Sequence, residues 1–137
     1  MGQINLTWIE GKRFLGIDST NHGIVLSPPN DVGAKPSDML LVALASCAAI
    51  DVVEIIHKQR ATLYQLHATV EGEQASEAPW AFQRIHVRFT ARANNLRADQ
   101  FTRALDLAIN KYCSVRASLD PAIAVTFEAI LEENVLP

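Results

Sequence analysis

The sequence predicts an α+β fold built on antiparallel sheets, with the element order βββ-α-ββ-α-β. Three observations predict it. Short alternating stretches fill the first 26 residues, a long apolar helix follows from Pro36, and two alternating strands then precede an amphipathic helix and a last strand. At 137 residues and 15.1 kDa the chain reads as one domain spanning 1–137. A chain of that length buries enough apolar surface to need no metal or disulfide staple.

Ile4, Leu6 and Trp8 alternate with Asn5 and Thr7, which is the pattern of a strand. Gly11-Lys12 reads as a turn, and Arg13 to Ile17 as a second strand. Asn21-His22-Gly23 signals a hairpin, with Ile24 to Leu26 as the third strand. Ser27 to Lys35 contains two prolines, an Asn-Asp pair and a glycine, and is a loop. Pro36 then suits the first helical turn, since its missing N–H would be unpaired there, and Asp38 places a carboxylate at the positive end of the dipole. The helix is expected to run to about Arg60, ending on the cations His57, Lys58 and Arg60. Its apolar character on all sides marks it as central. Gln65 to Glu71 and Arg84 to Arg92 alternate as two half-buried strands, joined through Ser76 to Trp80, and the second has a basic polar face. Phe101, Leu105, Ala108 and Tyr112 recur at helical spacing, and Ile123 to Ala129 form the last strand.

Composition narrows the function. Twelve basic against 15 acidic residues give a net charge of −3, unlike the basic excess of a nucleic-acid binder. The N-terminus shows no charged-then-apolar signal pattern, and the longest uncharged apolar run, Met39 to Ile50, is too short to span a bilayer. The expectation is a cytoplasmic protein with no membrane partner. The two cysteines, Cys47 and Cys113, then sit in a reducing compartment, as buried inert thiols or as a redox pair. There is no CxxC motif, and His22, His57, His67 and His86 are scattered, so neither a metal site nor a cofactor is expected.

One seam of the long helix stands out. Cys47, Asp51, Glu54 and Lys58 recur at spacings of four, three and four and share a face. Glu54 and Lys58 read as a surface pair. Asp51, set among Ile50, Val52 and Val53, is expected to be buried and paired with a cation or hydrogen-bond donors near the cysteines. Unopposed, its charge would raise the Cys47 pKa, so a reactive Cys47 needs a cation, for which Arg116 and Arg13 are the candidates. Cys113 lies between Lys111 and Arg116, a setting that favours a thiolate, or else it packs as a small hydrophobe.

The stretch from Lys35 to Val53, with Pro36-Ser37-Asp38 and Cys47-Ala48-Ala49-Ile50-Asp51-Val52-Val53, resembles the first-cysteine motif of the OsmC/Ohr family. Lys111-Tyr112-Cys113-Ser114-Val115 is similar to that family's second-cysteine motif, 66 residues on. The resemblance covers nearly the whole chain. It implies an intertwined homodimer around two long central helices, with sites at the subunit interface. It further implies reduction of organic hydroperoxides, with Cys47 oxidised to a sulfenic acid and Cys113 resolving it as a disulfide. A thiol reductant of the lipoyl or thioredoxin type would then restore the pair. The chain departs from the peroxidase pattern at two places. Ser37 stands where those members carry glutamate, and Asp38, about 180° round an ideal helix from Cys47, is placed for capping instead. No arginine occupies the loop from Asn21 to Lys35. Two functions follow: a hydroperoxide reductase using Cys47 and Cys113, or a module binding a small apolar ligand or lipid with incidental cysteines.

Overall fold

β1 (Asn5–Glu10), β2 (Arg13–Ile17) and β3 (Gly23–Leu26) form an antiparallel meander in that order. Gly11 takes the left-handed conformation that the β1–β2 turn requires, with φ 52°, and Trp8 Nε1 donates to its carbonyl at 2.8 Å. The Arg13 guanidinium donates to both carboxylate oxygens of Asp31 at 3.0 and 2.7 Å, and also to Glu10 at 3.2 Å. The loop after β3 folds against that strand, with Ala34 N–H donating to the Val25 carbonyl. Gly33 is obligatory here, because a Cβ would come within 2.7 Å of the Val25 oxygen. These elements belong to a first compact unit ending at Leu40; a second begins at Leu41, and the structure, a computed structural model, describes residues 2–132.

The long helix α1 spans Pro36–Lys58, close to the expected range. It stops two residues before Arg60 because Arg60 turns left-handed, with φ 62°, and a left-handed residue closes a helix. Its buried stripe is Leu44, Ala48, Val52 and Ile56, one residue per turn. The expectation of burial on all sides is not met within this chain. Val42 and Val53 are exposed, and Ile50 is 69% exposed. By length and composition α1 is also apolar enough to cross a membrane, which the run ending at Ile50 did not suggest.

β4 (Thr62–Gln74) and β5 (Phe82–Asn94) pair as a long antiparallel hairpin from Thr62↔Asn94 to Gln74↔Phe82, with register shifts between Leu63 and Gln65 and between Glu73 and Gln74. Both run further than their apolar alternation, because polar residues continue the ladder at its ends. The last strand, β6 (Ala124–Glu132), corrects the expectation of purely antiparallel sheets. It pairs parallel to β5, from Arg84↔Ala124 to Arg92↔Glu132. A parallel partner needs a crossover of a dozen or more residues. α2 (Ala98–Leu107), a π-helical turn (Ala108–Tyr112) and α3 (Ser114–Ser118) supply it. The core forms where α1, β5 and α2 meet. Ile85, Val87, Phe89 and Ala91 alternate inward from β5 against Leu44, Val52, Phe101, Leu105 and Ile109. Cys113, 3% exposed, closes that cluster.

Candidate functional site

The second unit brings Cys47 and Cys113 together. Cys47 lies mid-helix in α1, one residue before the buried Ala48, and is half-buried. Cys113 is the extended residue between the π-helical turn and α3, with φ −72° and ψ 109°. That break in the helix lets its sulfur cap α3, accepting the Arg116 N–H at 3.3 Å. The same turn presents Ser114 and Val115 to Cys47. The Cys47 sulfur lies 3.8 Å from the Ser114 hydroxyl, and the Val115 and Ser114 N–H groups and the Cys113 thiol act on it electrostatically. Both cysteines are free thiols.

The two thiols are driven apart in acidity. Burial alone would raise Cys47, but the Val115 N–H, the Cys113 thiol and the Ser114 hydroxyl and N–H outweigh it and hold Cys47 below its ordinary value. For Cys113 burial wins. With the adjacent Cys47 adding to it, the two overcome the Arg116 and Val115 N–H groups and push Cys113 up. A more acidic Cys47 beside a less acidic Cys113 is the order in which one thiol attacks and the other waits.

The activating groups are not those expected. No cation is among the groups that hold Cys47 down most strongly. The Arg116 guanidinium donates instead to the Ile123 carbonyl at 3.1 Å, and only its backbone N–H serves the site. Arg13 is committed to Asp31 and Glu10. Lys111 sits over the Tyr112 ring, 5.3 Å from its centroid, rather than against Cys113. Cys113 is accordingly the less acidic thiol, against the expectation from its cationic neighbours. Asp51 is half-buried, and it has no hydrogen-bond or ion-pair partner among the described residues. It lines a cavity of about 560 Å³ with Glu54, Ile55, Lys58, Leu107 and Tyr112. Glu54 and Lys58 form the surface pair expected, at 3.3 Å.

Ser37 and Asp38 sit in the first turn of α1, half-buried and exposed respectively. Asp38 makes no capping hydrogen bond among the described residues, so only its charge acts on the helix terminus. The residues that sequence reasoning missed are Ser114 and Val115. Ser114 carried a signal, a hydroxyl directly after a cysteine; Val115 acts through its backbone and carried none. Among the described residues no group of three or more His, Cys, Asp or Glu side chains could hold a metal ion.

Comparison with known proteins places this arrangement. The chain is 34% identical over 125 residues to Protein YhfA of Escherichia coli strain K12, covering 90% of this chain and 93% of that one. Its fold superposes on an OsmC like protein from Mycoplasma pneumoniae with a TM-score of 0.82, at 16% identity and 96% coverage of both chains. It also matches the organic hydroperoxide resistance protein OhrB of Bacillus subtilis, with a TM-score of 0.62 at 13% identity, over 94% of this chain and 97% of that one. At those identities the two structural likenesses speak for the fold alone. The model of the OsmC-like protein family matches residues 28–128, across both cysteines, and the chain belongs to that family.

Proposed function

We propose that this protein is a thiol-dependent organic hydroperoxide reductase working through Cys47 and Cys113. The observation that carries the proposal is the placement of Cys47, 3.8 Å from the hydroxyl of the residue that follows Cys113, with the half-buried Cys47 held below its ordinary pKa and the buried Cys113 held above it. The Cys47 thiolate attacks the distal peroxide oxygen and the O–O bond breaks. An alcohol leaves once its oxygen is protonated, and Cys47 becomes a sulfenic acid. Cys113 then loses its proton and displaces the sulfenic hydroxyl as water, forming the disulfide. Keeping Cys113 protonated until that step prevents it from competing for the peroxide, and its contact with Cys47 traps the sulfenate before over-oxidation. A dithiol of the lipoyl or thioredoxin type supplies the two electrons that restore both thiols. Membership of a family that includes hydroperoxide resistance proteins supports the reaction class.

A homodimer is part of the proposal. In the first unit Leu6 and Trp8 are more than half exposed, and in the second so are Val42 and Ile50 of α1. A second copy would cover such surfaces. Lipid is a poor alternative for α1, because an acid such as Asp51 costs about 2.5–3.5 kcal/mol at a bilayer centre. Light scattering at micromolar concentration is expected to give twice the chain mass, and a monomer contradicts the dimer.

The test of function is steady-state consumption of tert-butyl, fatty-acid and hydrogen peroxides with dihydrolipoamide or reduced thioredoxin as electron donor. Organic hydroperoxides are expected to be consumed faster than hydrogen peroxide. No turnover with any of them favours the other function, a module binding a small apolar ligand with incidental cysteines.

A further inference from the structure

The chemistry proposed above leaves one requirement open: an alkoxide has to be protonated as it departs from the distal oxygen. We propose, resting on that reaction, that Ser114 is the proton donor to the leaving alkoxide and relays a proton from solvent to it. Its hydroxyl lies 3.8 Å from the Cys47 sulfur, so a peroxide whose distal oxygen meets that sulfur places its second oxygen within reach of Ser114. Its side of the site is also open, since Ser114 is exposed whereas Cys113 is buried.

The other groups near Cys47 cannot fill this role. The Val115 and Ser114 N–H groups do not give up protons. The Cys113 proton is buried and is released only in the second step. Arg116 and Lys111, the nearby cations, are directed at the Ile123 carbonyl and the Tyr112 ring. Asp51, one turn further along α1, makes no hydrogen bond to either sulfur among the described residues. The Ser114 carbonyl accepts from the Ser118 hydroxyl at 2.8 Å, a bond that holds the backbone of this turn without engaging the Ser114 side chain.

The step balances without a further reagent. The sulfur lone pair forms the S–O bond, and the O–O pair passes to the alkoxide oxygen. The Ser114 proton moves onto that oxygen, while Ser114 takes a proton from the water it faces. The products are a sulfenic acid and an alcohol, and one solvent proton is consumed.

The experiment compares wild type, Ser114→Ala and Ser114→Thr in two reactions of Cys47. One is oxidation by tert-butyl hydroperoxide, cumene hydroperoxide and hydrogen peroxide. The other is alkylation by iodoacetamide, which expels iodide and needs no proton. Rates are taken at a pH where Cys47 is ionised in every variant, so a change in thiolate fraction cancels. Ser114→Ala is expected to slow oxidation about 10²-fold, the low end of general acid catalysis. The loss is expected to be greatest for tert-butyl hydroperoxide, whose leaving alkoxide is the most basic. Alkylation is expected to stay near wild type, and Ser114→Thr to retain most of the oxidation rate. Equal slowing of oxidation and alkylation, or slowing of neither, overturns the assignment while leaving the reductase proposal intact. A threonine variant as slow as alanine, with an unchanged circular dichroism spectrum, overturns it as well. A wild-type Cys47 that is alkylated but untouched by all three peroxides overturns the reductase proposal, and the role of Ser114 with it.

Discussion

The mid-helix turn of α1 around Cys47 and the break around Cys113 present the same functional group to each other and treat it in opposite ways. Cys47 is half-open and gathers donors from the facing turn, so its anion is favoured despite partial burial. Cys113 is sealed into the core with Ile109 and Phe101, and the Arg116 and Val115 N–H groups do not offset that burial and the neighbouring Cys47. The difference teaches that acidity at this site is set by peptide N–H direction and by burial rather than by side-chain charge. The cations that the sequence places nearest, Lys111 and Arg116, do their electrostatic work elsewhere.

The comparison is broken most completely by removing the attacking thiol. Cys47→Ser is expected to lower peroxide turnover by more than about 10³-fold, since an alcohol is barely ionised at neutral pH. Residual turnover near wild type would place the chemistry at another residue. Cys113→Ser separates the two roles. Its Cys47 is expected to be oxidised once and then to accumulate sulfenic and sulfinic acid, visible by mass spectrometry, while steady-state turnover is lost. Sustained turnover in that variant would show that Cys113 does not resolve the sulfenate.

A gentler perturbation is pH. Alkylation of Cys47 is expected to reach half its maximal rate below the pH of an ordinary cysteine, and that of Cys113 above it, the two sites being followed separately in the wild-type protein by peptide mass spectrometry. The linkage to stability then has opposite signs. Between the lowered Cys47 value and the ordinary one, the unfolded chain binds more protons, so stability rises with pH; this contribution is lost as pH falls through the folded value. Between the ordinary value and the raised Cys113 value the folded chain binds more protons, so stability falls as pH rises. The smallest effect is expected from Asp51→Asn, which should move the Cys47 alkylation midpoint by no more than about 0.3 pH unit, because none of the strongest influences on that thiol comes from Asp51. A larger shift would restore charge to the account.

Much of this architecture is legible in the residues. Pro36 and the apolar run after it mark α1 because a proline start and unbroken helix-compatible side chains have few other outcomes. Alternation marks β5 because its inward face is buried while its outward face carries Arg84, Arg88 and Arg92. Alternation cannot show direction, however, so the parallel seating of β6 is invisible until the crossover through α2 and α3 is traced. Cys47 and Cys113 are legible as a pair through family resemblance. Their electrostatics are not, because Val115 contributes a peptide N–H that every residue but proline possesses. The expectation for Asp51 fails within this chain for a related reason. A carboxylate among apolar neighbours in sequence can face an open cavity in space, and Asp51 does so beside Tyr112 and Leu107.

The central claim is that Cys47 and Cys113 act as an attacking and a resolving thiol. It is tested most directly by adding one equivalent of an organic hydroperoxide to the fully reduced protein, then mapping the thiols by differential alkylation and peptide mass spectrometry. Loss of both thiols together and a single intramolecular Cys47–Cys113 disulfide, reversed by a dithiol, are expected. Both thiols remaining free, or a stable sulfinic acid at Cys47 with Cys113 still reduced, would contradict it.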